Sequence, residues 1–426
     1  MNERRPELLI PAGSLDVLKT AVRYGADAVY IGGEVFSLRA KAKNFSEEEM
    51  AEGIAYAHAR GVRVFVTANI LAHNDDLEEA REYFGRLKEI KPDALIISDP
   101  GLFTLAKEIC PEIEIHISTQ ANNTNYETYR FWERLGAKRV VSARELSLKE
   151  IKQLREKIQP ETEIETFVHG AMCISYSGRC LLSNFFTGRD ANQGACTHPC
   201  RWKYTAKEAD PFMDEEGNYR YAVEEEKRPG EYLPVYENER GSYIFNSKDL
   251  CMLEYIPELI DAGIDSFKIE GRMKTALYVA TVARTYRKAI DDYLESEEKY
   301  RANMEWYKAE IAKCTYRQFS TGFFFGKPTE QNQIYDNNTY VNDYIYLGTI
   351  ESLTGEKARI VQKNKFSVGD VIEIMKPNGE NISVTVEKMM NEEGEAIESC
   401  PHSKQIVDLV LSTVPEEGDI LRVKAE

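Results

Sequence analysis

The chain has 426 residues, with 71 acidic against 54 basic side chains and a formal net charge of −17. Its 42% hydrophobic content and mean hydropathy of −0.47 supply a sizeable core for two or three domains, and no run approaches the ~18 apolar residues of a membrane span. No apolar stretch follows Arg4 and Arg5 as an export signal would require, so a cytoplasmic protein is expected, and the acidic balance argues against unspecific nucleic-acid binding.

The first half alternates short apolar runs with amphipathic segments. Glu7 to Ala12 reads as a buried strand, and Ser14 caps a helix from Leu15 to Tyr24. Ala28 to Ile31 is the second strand, and Ser46 with Glu49 forms a capping-box signature for the next helix. Val62 to Val66, Ala94 to Ser98, Glu114 to Ser118, Arg139 to Val141 and Glu163 to Val168 continue the series, each followed by a helical or loop segment. Continuous apolar strands between amphipathic helices mean parallel strands covered on one face. Ser266 to Glu270 supplies an eighth strand and Ala276 to Leu294 a last long helix, which favours a TIM-barrel-like (β/α)8 domain over residues 1–325. No Gly-x-Gly-x-x-Gly follows the first strand, which weakens a dinucleotide-binding alternative.

Strands seven and eight are separated by a long insertion, from His169 to about Asp261, holding a polar charged stretch from Lys207 to Arg240. From 326 to 426 the pattern changes to alternating strands with turns such as Pro377-Asn378-Gly379, the signature of a small all-β barrel. That tail carries ten Lys and Arg against eighteen Asp and Glu, a poor electrostatic platform for a polyanion taken as a whole.

Four of the eight cysteines, Cys173, Cys180, Cys196 and Cys200, fall within 28 residues, separated by six, fifteen and three others. In an intracellular chain such a cluster reads as metal or redox chemistry before disulfides. Only the last pair has zinc-like spacing; iron–sulfur ligation tolerates looser spacing; buried thiols remain the bland alternative. Cys110, Cys251, Cys314 and Cys400 are scattered and read as small hydrophobes.

In a barrel, polar residues at strand ends converge on one mouth. Glu165, His169, Lys268, Glu270 and Arg272, at the ends of strands seven and eight, are the candidates for catalysis. Asn69, Gln120, Asn122 and Arg144, with Lys268 and Arg272, are the candidates for substrate binding, the two cations suiting a carboxylate. An ion-pair network of those cations with Glu270, Asp99 and Glu145 is the competing reading, and Arg39, Lys41 and Lys43 are either phosphate contacts or a solvated run.

The stretch Glu165-Thr-Phe-Val-His-Gly-Ala-Met-Cys173, followed by Ser177-Gly-Arg-Cys-Leu-Leu-Ser183, resembles the signature of the collagenase-like peptidase family U-32. The opening Leu-Leu-Ile-Pro-Ala-Gly, Ser-Thr-Gln-Ala-Asn-Asn and Lys-Ile-Glu-Gly-Arg are similar to that family too. Its length and β tail look most like the branch that hydroxylates tRNA. The resemblance implies a prephenate-dependent enzyme forming 5-hydroxyuridine at the wobble position, with tRNA and a small carboxylate co-substrate as partners. It also implies a [4Fe–4S] cluster on Cys173, Cys180, Cys196 and Cys200, with zinc as the alternative metal. Two other readings are a family peptidase and an iron–sulfur scaffold subunit beside a paralogous partner. Against the peptidase, neither His-Glu-x-x-His nor Gly-x-Ser-x-Gly occurs.

Overall fold

The computed structural model describes residues 5–37, 44–172, 187, 197, 204–208, 219–225, 230, 232–238, 241–242, 248–326, 341–402 and 404–425. Cys173, Cys180, Cys196 and Cys200, together with Arg39, Lys41 and Lys43, lie outside these residues.

The chain opens with six strand–helix repeats: β1 (Glu7–Pro11) and α1 (Leu15–Arg23), β2 (Ala28–Gly32) and α2 (Glu47–His58), β3 (Arg63–Ala68) and α3 (Leu77–Ile90), β4 (Ala94–Ile97) and α4 (Pro100–Ile109), β5 (Glu114–Ile117) and α5 (Tyr126–Arg134), β6 (Arg139–Val141) and α6 (Leu148–Lys157). β7 (Glu163–Gly170) follows. Several helices start where the sequence supplies a cap, although α3 has no side-chain cap. Ser14 accepts from the Val17 amide, Ser46 and Ser147 each form a complete capping box with the Glu three residues on, and Asp99 caps α4 ahead of Pro100.

Beyond β7 lie four short strands, β8 (Tyr204–Glu208), β9 (Tyr219–Glu225), β10 (Tyr232–Asn238) and β11 (Gly241–Ser242), which form an antiparallel sheet of their own. The chain returns through β12 (Asp249–Cys251), α7 (Ile256–Asp261), β13 (Ser266–Ile269) and α8 (Ala276–Glu295), then α9 (Glu297–Ala302), α10 (Met304–Ile311) and β14 (Phe319–Ser320). β13 pairs in parallel with both β1 and β7, so β1 to β7 and β13 close an eight-stranded parallel barrel. His169 and Gly170 are the last residues of β7 rather than the first of the insertion, and β12 already rejoins the sheet by pairing antiparallel with them.

Two distinct interiors result. Between strands and helices runs a continuous apolar layer. Inside the barrel, one half is apolar, built from Leu9, Ala28, Tyr30, Phe65, Ala94 and Ile96 of β1 to β4. The opposite half, from β6, β7 and β13, is charged: Arg139, Glu165, Ser266 and Lys268 are all buried there.

The tail forms a closed antiparallel barrel of six strands, β15 (Tyr344–Thr354), β16 (Lys357–Val361), β17 (Val371–Met375), β18 (Asn381–Met390), β19 (Ile406–Leu411) and β20 (Ile420–Lys424). Closure rests on β19 and β20, which extend the strand set expected from the turns. Its own apolar core includes Leu347, Ile374, Val386 and Leu409. Cys110, Cys314 and Cys400 are buried thiols, while Cys251 is half-buried.

The two barrels are joined by a buried ionic knot. Glu310 of α10 lies 2.5 Å from Arg284 of α8 and 2.8 Å from Arg422 of β20, and Arg422 also reaches Glu373 of β17 at 2.5 Å. The Tyr24 hydroxyl donates to the Met375 carbonyl at 2.7 Å. Burial alone would raise the Glu310 carboxyl, but Arg284 and Arg422 outweigh it and hold it down at about 2. Since the unfolded carboxyl titrates near 4.5, the contribution is complete above that pH and is lost as pH falls toward about 2. Glu310→Ala removes the carboxylate from the buried Arg284 guanidinium and leaves Arg422 with Glu373 alone, and we expect a loss of about 3 kcal/mol in urea unfolding. A variant that unfolds at the wild-type urea concentration rejects this account of the joint.

Candidate active site at the barrel mouth

The C-terminal ends of the strands enclose a cavity of roughly 500 Å³ counted out to solvent, and the centre of a water-sized sphere ranges through about 70 Å³ of it. Its floor and walls come from inward-facing strand residues, Tyr30, Ile96, Val141 and Phe167 among them. Its polar rim comes from the turns that follow β3 and β5, with Asn69, Ser118, Thr119 and Gln120. Three cations line it, Arg144, Lys268 and Arg272, against one carboxylate, Glu270. In a chain of net charge −17, this is a locally cationic chamber.

Each cation is pre-positioned. The Lys268 ammonium donates to Glu165 Oε1 at 2.6 Å and sits 4.5 Å from the Tyr30 ring centroid. Glu165, fully buried, takes its second contact from Arg139 at 2.9 Å. Burial would raise this carboxyl, yet Lys268 and Arg139 hold it below the usual range. Arg272 donates to Thr67 Oγ1 at 3.1 Å and to Ser37 Oγ. Gly32 is required beside it, because a Cβ there would lie 1.9 Å from Arg272 Nη1. Arg144 stacks over Phe167 at 4.0 Å, donates to Glu270 at 2.8 Å and to the Ala171 carbonyl at 2.9 Å. Ala171 is the first residue beyond β7, so Arg144 ties the cavity wall to the root of the cysteine-bearing insertion.

Of the residues singled out by sequence, Asn69, Gln120, Arg144, Lys268, Glu270 and Arg272 meet at this cavity. Glu165 stands directly behind Lys268. His169 and Asn122 are not among the lining residues. The pairing of β7 with β13 shifts register between Lys268 and Ile269, so that Phe167 and His169 oppose consecutive residues. This bulge turns His169 away from the mouth. Its ring packs among Tyr278, Tyr286 and Phe319, with centroids 5.5–6.0 Å away. Burial there lowers its pKa to about 4, so the imidazole is neutral at physiological pH. Asn122 adopts a left-handed conformation and donates to the Gln120 carbonyl at 3.0 Å, shaping the turn after β5. The competing network takes a different form: Lys268 pairs with Glu165 rather than Glu270, and Asp99 is spent on capping α4.

The walls Tyr30 and Phe167 and the hydroxyls of Thr67, Ser118 and Thr119 complete the site. A lining of cations, side-chain amides and two aromatic rings has the chemistry to suit a small anion with an apolar body. Among the described residues no cluster of three metal-ligating side chains occurs, and no helix is long and apolar enough to cross a membrane.

Comparison with known proteins agrees with this architecture. The sequence profile of Peptidase family U32 matches residues 13–334, and that of the Peptidase family U32 C-terminal domain matches 342–422. The chain is 39% identical to "tRNA hydroxylation protein P1" of Bacillus subtilis over 98% of its own length and 95% of the relative. It is 41% identical to "tRNA hydroxylation protein P" of Escherichia coli, covering 93% of this chain and 92% of that one. It is 32% identical to the "23S rRNA 5-hydroxycytidine C2501 synthase" of Escherichia coli over 88% of this chain and 53% of that protein.

Glu165→Gln keeps the side-chain shape but leaves Lys268 and Arg139 facing each other inside the barrel. We expect stability to fall by about 3 kcal/mol or more, with partial recovery in the double variant Glu165→Gln/Lys268→Met. Strictly additive effects in urea unfolding reject the coupling.

Proposed function

The chain belongs to peptidase family U32, and from that premise we propose that it is an RNA hydroxylase acting at C5 of a pyrimidine, the wobble uridine of tRNA, with prephenate as its carboxylate co-substrate. The observation that carries the reading is the cationic chamber: three cations face one carboxylate at the mouth of an otherwise acidic chain. The names of the relatives support it, since two are tRNA hydroxylation proteins and the third makes 5-hydroxycytidine in rRNA. Hydrolysis of peptides fits less well. Among the described residues no histidine lines the cavity, and His116 and His169 are both buried and held neutral, so none of these residues offers the cavity's hydroxyls an imidazole base.

In this reading Arg272, Arg144 and Lys268 grip the carboxylates of the co-substrate. Asn69 and Gln120 hydrogen-bond its polar periphery, and Tyr30 and Phe167 flank its ring. Glu165 fixes the direction of the Lys268 ammonium, so the cation is aimed before ligand arrives, which saves reorganisation. Cys173, Cys180, Cys196 and Cys200 are the donor set for a [4Fe–4S] cluster, which would supply one-electron chemistry. Their fit rests on four soft thiolate donors within 28 residues and on the short path from Ala171, held by Arg144, to Cys173. Four such thiolates also suit zinc, so the metal is a matter for measurement.

Two measurements decide. In a strain lacking the gene, the wild-type chain should restore 5-hydroxyuridine-derived nucleosides in tRNA digests. Lys268→Met and Arg144→Ala should cut that yield by about tenfold or more, each having lost a charge-assisted contact. Unmodified wobble uridines with the wild-type chain reject the reading. Anaerobically purified protein should contain about four iron and four sulfide per chain and absorb broadly in the visible. Stoichiometric zinc in a colourless protein overturns the cluster assignment.

A further inference from the structure

The C-terminal tail carries ten basic against eighteen acidic residues from Lys327 onward, yet the charges on its small barrel are not spread evenly. Two of its loops, 362–368 and 398–405, lie side by side. Gln362 is buried between them. Its amide donates to the Gln405 carbonyl at 2.9 Å, its carbonyl accepts from the Lys404 amide at 3.0 Å, and its side chain donates to the Cys400 carbonyl at 2.9 Å. The Cys400 amide closes the seam on the Phe366 carbonyl at 3.2 Å. Lys404 holds a left-handed backbone, φ 65°, within this seam.

These loops present Lys363, Lys365, His402 and Lys404, all exposed. None of the three lysines pairs with a carboxylate among the described residues, unlike Arg359, Lys376 and Arg422 of the same barrel. One carboxylate, Glu398, shares the loops. The result is a small cationic platform on a backbone sewn rigid by hydrogen bonds. Its position is also set. The Lys363 amide bonds the Leu347 carbonyl at 2.9 Å, and Asn364 donates to the Tyr346 carbonyl at 2.7 Å. Tyr346 packs on the core of the large barrel and lies within electrostatic reach of Asp16. Asp16 is in the first turn of α1, which begins where β1 ends, at the level of the mouth. The platform therefore stands beside the joint between the two barrels, where Tyr346 meets the large one.

We propose that Lys363, Lys365 and Lys404 form a docking platform for the phosphodiester backbone of the RNA substrate, outside the cavity that holds the reacting centre. This rests on the RNA-hydroxylase reading. Lysines on a hydrogen-bonded backbone suit phosphates, since each carries a point charge on a flexible stem that can reach a phosphate oxygen. Such contacts position an RNA without selecting its sequence, while the chamber acts on a single base.

The test uses the full chain and a tRNA transcript, with affinity measured by fluorescence anisotropy across a salt series. The triple variant Lys363→Gln/Lys365→Gln/Lys404→Gln should bind about tenfold more weakly near 0.1 M salt. Its log–log salt slope should be shallower by about two, because three phosphate contacts are lost. Lys149→Gln/Lys152→Gln/Lys157→Gln on α6 removes the same charge from exposed positions elsewhere and should leave affinity within about twofold of wild type, since only net charge changes. Both variants should keep the wild-type melting curve. Equal affinities for wild type and platform variant, or an equal loss in the α6 control, overturn the assignment. Nucleoside analysis separates the two levels. If the wild-type chain hydroxylates tRNA and the platform variant binds and hydroxylates it equally well, the platform alone falls. If the wild-type chain produces no hydroxylated nucleoside, the underlying reading falls.

Discussion

A carboxylate at the centre of the large barrel organises the rest. Glu165 is fully buried and touches Lys268 at 2.6 Å and Arg139 at 2.9 Å. Arg139 in turn reaches Glu7 at 2.6 Å and Glu163 at 2.5 Å. Charges so far from water are tolerated only as a closed set, because each ion left alone costs several kcal/mol. Closing the set requires β1, β6, β7 and β13 in one register, since a one-residue slip of any strand sends its charge into the apolar layer outside. The apolar half of the interior, with Leu9, Phe65 and Ile96, tolerates substitution by other hydrophobes of similar volume. The charged half does not, and it is the half that carries the functional side chains.

From that register the site follows. Lys268 faces the mouth only because Glu165 stands below it, and Phe167 lies two residues further along the same strand as a wall. The bulge that comes next converts the strand from a cavity lining into the start of the insertion. Past it, His169 faces the helices and the chain leaves the barrel at Ala171. Arg144 spans this junction, with one nitrogen on Glu270 and another on the Ala171 carbonyl. A ligand carboxylate that competes with Glu270 for Arg144 therefore acts on the root of the cysteine-bearing segment. Cavity and insertion share one guanidinium.

Much of this was legible in the chain, for stated reasons. The first two helices were readable because Ser14 and Ser46 make the capping bonds their positions promise. The strand ends pointed to Asn69, Gln120, Arg144, Lys268 and Arg272 because parallel barrels gather such residues at one face. Tyr30 and Phe167 were not readable. A strand buried on both sides is apolar at every position, so its inward phase leaves no pattern. Val29 and Tyr30 are equally hydrophobic, yet one packs on helices and the other on Lys268. His169 was chosen for its place at the end of strand seven, and only the pairing with β13 discloses the bulge that turns it away from the mouth. The Glu165–Lys268 pair joins residues 103 apart in sequence, beyond any local rule.

Net charge looks at first like an argument against an RNA substrate. Screening resolves it. At physiological ionic strength the Debye length is about 8 Å, so the −17 charge acts as a field only close to the carboxylates that carry it. Carboxylates already paired, such as Asp408 with Arg359 or Glu416 with Lys376, add little at contact range. What an approaching phosphate meets is set by the unpaired groups within a few ångströms, and on the small barrel these include Lys363, Lys365 and Lys404. Screened in this way, the global charge counts for little at the platform, where the local cations set the field a phosphate meets. An acidic chain with two small cationic patches suits an enzyme that must find a few sites on one kind of RNA without adhering to all of it.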